Sequence, residues 1–297
     1  MFAPQPEHLI AQLVSIRNQT LSDFTCIVAF DGFPDRHLEE RVAEMSFDER
    51  FALIRFEQRL GLYRHIERLL YQFGYETEFL AFADQDDVWD IDRLDVQVKT
   101  LNSSQAVLVS DNARLVDFEL KDLGLSLFDT LRISEESLKF GFMTPFATGA
   151  GTIYRASALM RALPFPKNFG SALHDHWLGC IGLATGRCVL NHNPSWSYRQ
   201  HKANQIGAFR GNIRYRPIRA SLSKLTDICF RNDREFEQQV GAYVEELRRR
   251  FKSLPSGIQI PTSRNGLRNS LWLLTPRSLS QSRLESLRLF LRQFPGL

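Results

Sequence analysis

The sequence predicts an α/β fold: a mainly parallel sheet with helices on both faces. Three observations predict it. Short runs rich in β-branched and aromatic residues alternate with stretches of helical period. The runs are apolar throughout rather than alternating, as in strands covered on both faces. The densest acidic string stands directly after such a run, where open α/β sheets bind ligands.

The elements follow in order. Glu7 to Gln19 sets Leu9, Leu13 and Ile16 at helical spacing. Phe24 to Phe30 is a β-prone run broken by Asp31-Gly32, and Phe51 to Phe56 is a second strand. Gln58 to Phe73 is an amphipathic helix with Leu62, Ile66, Leu69 and Leu70 on one face. Glu78 to Ala83 is a third strand, Asp90 to Leu101 a helix, and Ala106 to Val109 a strand again. After Asn204 the texture changes. Asp233 to Phe251 is an amphipathic helix ending in Arg248-Arg249-Arg250, Leu254 to Pro261 a linker, and Ser278 to Phe294 a last helix.

Composition bounds the function. At 43% hydrophobic with 23 Phe in 297 residues, the chain is no disordered polymer. The formal charge of +3 hides an asymmetry: residues 208–297 hold 17 of the 37 basic and 7 of the 34 acidic side chains. The first 207 residues therefore stand at −7 and the rest at +10. This predicts two parts, a body at 1–207 and a basic helical extension at 208–297. No apolar run spans a bilayer and the start resembles no signal peptide, so a cytoplasmic location is expected. The four cysteines form no CxxC pair and read as reduced thiols. The extension has little aromatic interleaving, which argues against nucleic acid. Its Arg-edged helices suit either the anionic inner face of a membrane or packing onto the acidic body.

The chemistry concentrates in Ala83-Asp84-Gln85-Asp86-Asp87-Val88-Trp89. Three carboxylates in four positions repel one another unless a cation joins them, and hard oxygen ligands suit Mg²⁺ or Mn²⁺. The competing reading is a solvated acidic turn that caps the next helix through Asp87 or Asp90. Thr148-Gly149-Ala150-Gly151 lacks the Lys and spacing of a phosphate-binding loop, and reads as a small-residue turn.

The acidic string resembles the metal and nucleotide-sugar signature of family-2 glycosyltransferases, in their bacterial polysaccharide, rhamnosyltransferase-like branch. The resemblance continues through Leu13 to Thr20, Asp31-Gly32, Gly61-Leu62-Tyr63-Arg64, Ser110-Asp111, Thr148-Gly149-Ala150, His174-Asp175-His176-Trp177 and Tyr198 to Asn204. It implies a GT-A fold and an inverting transfer from a dTDP- or UDP-sugar, such as dTDP-L-rhamnose, to a lipid-linked glycan acceptor. It also implies roles. Asp84 would face the ribose, Asp31 the base, and Asp86 with His201 would hold the divalent ion. Arg199 and Lys202 would contact diphosphate oxygens, and Asp175 would act as general base. Thr148, Gly149, His174 and Trp177 would line the acceptor pocket, with core packing the competing role for Trp177. Asp87 and Asp111 would support the site from behind.

Departures are visible too. Relatives carry paired aspartates where Phe30-Asp31 stands, and often Asn where His65 stands. They also open on a hydrophobic strand, whereas this sequence opens on Met1-Phe2-Ala3-Pro4, so that strand is expected to be missing. Two alternatives stay open at this point: a catalytically silent GT-A scaffold and a metal-dependent nucleotidyltransferase.

Overall fold

The computed structural model describes residues 5–33, 36–45, 48–142, 145–170, 172–200 and 233–253. The Leu254–Pro261 linker, the Ser278–Phe294 helix, His201 and Lys202 lie outside them.

Helix α1 (Pro6–Arg17) buries Leu9, Leu13 and Ile16, the three positions its period set on one face. It leads to β1 (Cys26–Asp31), then α2 (Arg36–Met45) and β2 (Phe51–Phe56). β1 and β2 pair parallel, from Cys26 opposite Phe51 to Asp31 opposite Phe56. Helix α3 (Leu62–Phe73) starts four residues later than its period suggests, because Gly61 stands at φ +76° and breaks the helical path.

A second sheet has the order β3-β8-β5-β9, from β3 (Phe79–Ala81), β8 (Thr152–Arg155), β5 (Leu108–Asp111) and β9 (Cys188–Asn191). β8 runs antiparallel to both its neighbours, while β5 and β9 are parallel. A third sheet has the order β4-β10-β6-β7, from β4 (Val88–Trp89), β10 (Trp196–Arg199), β6 (Arg114–Val116) and β7 (Asp122–Ser126). The sheet content is thus more mixed than the apolar runs suggested. The reason is local: β4, β6, β7 and β10 are too short to show a period, and distant pairing partners create them.

Helix α4 (Arg93–Ser104) follows the acidic string, the short helices α5 (Leu127–Leu131), α6 (Glu135–Leu138) and α7 (Ala156–Leu159) come next, and α8 (His174–Thr185) is apolar almost all round and buried. Helix α9 (Asp233–Arg250) lies on α8 through Phe236, Val240, Tyr243 and Leu247, all buried. Its Arg250 donates to the carbonyls of Arg161 and Pro164 and sits 5.3 Å from the Trp177 ring. This part of the basic extension packs on the body. No helix among the described residues is long and apolar enough to cross a membrane.

Candidate active site

The carboxyl ends of β1 and β3 open onto one cavity of about 1700 Å³, lined among others by Asp31, Asp84, Asp86, Gly149, His174 and Asp175. Thr148 lines it as well. Residues as far apart in sequence as Asp31 and Asp175 therefore line one cavity.

The acidic string leaves β3 and turns sharply. Asp84 is open to the cavity, yet it is sunk among protein atoms beside other acids. That sinking, together with Asp86 and Asp175, pushes its carboxyl up to about 7. Asp87 points the other way. It is fully buried, accepts a 3.1 Å bond from the Arg199 amide on Oδ1, and leaves Oδ2 without a hydrogen-bond partner. Burial and the neighbouring aspartates raise its carboxyl. Among the described residues no group of three His, Cys, Asp or Glu side chains is arranged to hold a metal ion.

Arg199 is a clamp for this turn. It is 3% exposed, its Nε donates to the Asp86 carbonyl at 2.8 Å, and its Nη1 donates to the Phe118 carbonyl. The guanidinium expected on a diphosphate is thus engaged by protein backbone. Gln19 closes the far side, donating to the Asp90 carbonyl at 2.6 Å and accepting from the Leu94 amide at 2.9 Å.

Asp31 holds a loop. Its two carboxylate oxygens accept from the Leu60 and Gly61 amides at 2.9 and 2.7 Å, and Arg68 reaches Oδ1 at 3.1 Å. Burial alone would raise its carboxyl, but these donors together hold it below the ordinary range. His65 stands 3.3 Å from Asp31 and 2.7 Å from Arg68. Burial lowers its imidazole to about 4, so the ring is neutral and can accept a hydrogen bond from Arg68.

Asp175 lies in the first turn of α8, where its carboxylate favours the positive helix end and its Oδ1 accepts the His176 amide at 2.8 Å. His174 beside it is buried against the short helical turn Gly149–Gly151. A methyl group on Gly149 would stand 2.4 Å from His174 Nε2, so only glycine lets the ring approach. Burial lowers the His174 imidazole.

One expected pocket residue lies elsewhere, and one sits behind the site. Trp177 is fully buried, donates to the Ala162 carbonyl at 3.0 Å and stacks near Tyr243, so it is core and not a cavity wall. Asp111 is buried behind the cavity wall, bonded by Asn191 at 2.7 Å and Ser195 at 2.5 Å. Its carboxyl is raised by burial despite Arg93 nearby.

Arg93 is the residue the sequence reading missed. It is 0% exposed, 4.1 Å from the Trp89 ring and 5.4 Å from the Trp196 ring. Its Nη2 donates to the Ala150 carbonyl at 2.5 Å, and Gln97 one turn on donates to the Gly151 carbonyl at 3.1 Å. These two side chains hold the turn against which His174 rests. The available signal was an Arg and a Gln at i and i+4 on the same helix face as Leu94 and Leu101.

With this geometry in view, the comparisons decide the family. The model of the family described as "Glycosyl transferase family 2" matches residues 6–163, just over half of the chain. The chain belongs to that family. Asp175 and the Tyr198–Arg199 strand lie beyond the matched residues. A mannosyltransferase from Pyrobaculum calidifontis, solved with GDP-Man and Mn²⁺, matches at TM-score 0.55 and 16% identity, covering 98% of this chain and 78% of that one. TarS 1-349 from S. aureus matches at TM-score 0.51 and 17% identity with UDP, covering 65% and 56%, and at 0.52 and 14% with UDP-GlcNAc, covering 81% and 68%. At these identities the likeness establishes the GT-A fold. The chain spans little more than half of the first of these TarS chains. No curated protein matches the sequence.

Proposed function

We propose that the protein is an inverting, metal-dependent glycosyltransferase that moves a sugar from a nucleoside-diphosphate donor to a hydroxyl of a glycan acceptor. The observation that carries this reading is the meeting of Asp84, Asp86 and Asp175 in one cavity at the carboxyl ends of β1 and β3. Three acids brought together repel one another, and a divalent ion with its bound diphosphate would relieve that repulsion.

The donor set fits Mg²⁺ or Mn²⁺. Such ions take hard oxygens, often one or two carboxylates with the remainder from substrate phosphates and water. Asp86, with Asp84 beside it and His201 as an expected further ligand, would hold it, and the ion would stabilise charge on the departing diphosphate. Asp175 would accept the proton of the acceptor hydroxyl as that oxygen bonds to the anomeric carbon opposite the leaving group. Asp31, its carboxylate engaged by the Leu60 and Gly61 amides and by Arg68, would border the base, and the Thr148–Gly151 turn would wall the acceptor. Lys202 is retained as a diphosphate contact, whereas Arg199 serves by fixing the acidic turn. Relatives solved with UDP, UDP-GlcNAc and GDP-Man support a nucleotide sugar as donor. A dTDP-deoxyhexose such as dTDP-L-rhamnose remains among the candidates, with a lipid-linked glycan at the inner membrane face as acceptor.

The test is a donor screen. The purified chain is given UDP-, dTDP- and GDP-sugars with Mn²⁺ or Mg²⁺, and nucleoside diphosphate release is followed. One donor should be turned over, and Asp175→Asn should lower kcat by about 10²–10⁴. Absence of turnover with every donor, or an Asp175→Asn variant as fast as the parent, contradicts the proposal and favours a silent scaffold.

A further inference from the structure

The loop that leads into Asp175 is held in place by side chains from other elements. Among the described residues, 163–170, 172 and 173 form neither helix nor strand; they join the short helical turn Met160–Ala162 to α8. Leu173, at the loop's end, is the N-cap residue of α8 and lines the cavity beside His174 and Asp175. A leucine has no side-chain oxygen to cap a helix, so where Asp175 stands depends on what else holds the loop.

Two helices hold it. Helix α3 takes the first part: Tyr63 and Arg64 donate to the Pro166 carbonyl at 3.3 and 3.1 Å, and Glu67 accepts the Phe165 amide at 2.6 Å. Helix α9 takes the part nearer Asp175. Gln239 Nε2 donates to the Lys167 carbonyl at 2.9 Å, and its Oε1 accepts the Phe169 amide at 2.8 Å. One turn on, the Tyr243 hydroxyl donates to the Leu173 carbonyl at 3.2 Å. That carbonyl also accepts the Trp177 amide at 3.2 Å, the bond that opens α8. Tyr243 therefore grips the residue from which the helix carrying Asp175 starts. The same face of α9 reaches the residue after Asp175 as well: His176 is buried between Phe236, stacked at 6.2 Å, and Tyr243, edge-on at 5.2 Å.

Packing alone does not account for these polar groups. Phe236, Val240, Val244 and Leu247 already supply an apolar face. Gln239 is 1% exposed and Tyr243 0%, and a buried amide or hydroxyl costs stability unless it is bonded. Both ends of the Gln239 amide bond loop backbone, which an apolar residue of that size could not do. Neither residue lines the cavity, so each acts through the loop.

We propose that Gln239 and Tyr243 are positioning residues for Asp175: α9, in the basic extension, holds the loop ending at Leu173 so that the Asp175 carboxylate faces the acceptor hydroxyl. The proposal rests on Asp175 as the general base. It makes this part of the extension a component of the catalytic centre.

The test uses the full chain and two variants that remove the bonds with little change of shape, Tyr243→Phe and Gln239→Leu. Amide exchange should speed up about tenfold in peptides covering residues 165–177, as for one lost hydrogen bond, and stay as in the parent at Cys26–Asp31. With the nucleotide sugar that the parent turns over in Mn²⁺, each variant should lose about 10–10²-fold in kcat at unchanged donor KM. In an Asp175→Asn background, Tyr243→Phe should lower kcat by less than about twofold further, because the group it positions is gone. Unchanged exchange at residues 165–177, unchanged kcat, or the same loss of kcat with and without the Asp175 carboxylate overturns the proposal. A parent that turns over no donor contradicts the glycosyltransferase reading instead, and exchange then decides by itself whether α9 holds the loop.

Discussion

Replacing Arg93 by Met should destabilise the protein far more than the loss of a surface charge. The guanidinium is wholly buried, held between Trp89 and Trp196, bonded to the Ala150 carbonyl and 4.0 Å from the Asp111 carboxylate. Burial pulls its pKa down to about 10 and raises that of Asp111, so desolvation outweighs the pair attraction on both partners. Its Nε and Nη1 lack hydrogen-bond partners, which agrees with a costly site. Such a pair adds little over an apolar equivalent, but removing one member strands the other charge. That costs about 3–5 kcal/mol, a third or more of a typical domain's stability. Thermal denaturation should show a midpoint lower by about 8–15 °C for Arg93→Met. Arg93→Lys keeps the charge and loses the fork, and should fall roughly midway. Adding Asp111→Asn to Arg93→Met should cost less than the two singles summed. An Arg93→Met variant within about 1 kcal/mol of the parent, or strict additivity with Asp111→Asn, refutes the reasoning.

Other outcomes follow from the same geometry. Gly149→Ala drives a methyl into His174, and a misplacement near 1 Å beside Asp175 should lower kcat about 10²-fold in steady-state assays while donor KM changes little. Asp84 has a raised folded pKa, so its protonated form favours folding: stability is fullest below the ordinary carboxylate range and falls as pH rises toward about 7. A divalent cation nearby favours the charged form, so the midpoint gain from Mn²⁺ or Mg²⁺ should be larger at about pH 8 than at about pH 5.5; a pH-independent gain counts against an ion held beside Asp84. Asp31→Ala releases the Leu60 and Gly61 amides and leaves Arg68 beside a neutral His65. It should cost about 1–3 kcal/mol in denaturant unfolding, with Asp31→Asn milder.

The legible parts of the fold were those whose own residues dictate them. Cys26–Asp31 and Phe51–Phe56 are β-prone runs long enough to stand out, and Asp233–Arg250 carries a full amphipathic period. The acidic string was legible because three carboxylates in four residues need an explanation. Thr152–Arg155 and the two-residue Val88–Trp89 were not, because partners as distant as residue 196 make them strands. The start of α3 was misplaced because Asp31, about thirty residues earlier, captures the Leu60 and Gly61 amides. Side-chain direction was the other blind spot. Trp177 sits in a string that resembles a site, yet its neighbours draw it inward, and Arg93 reads as a surface charge until two tryptophans close over it.

The central claim is that the Asp84–Asp86 turn receives a nucleoside diphosphate through a divalent ion. Calorimetric titration of UDP, dTDP and GDP into the full chain, with and without Mn²⁺, tests it most directly. One nucleotide should bind only when the ion is present, and Asp86→Asn should remove that dependence together with the binding. Binding that ignores both the ion and Asp86, or no binding of any nucleotide, would contradict the account.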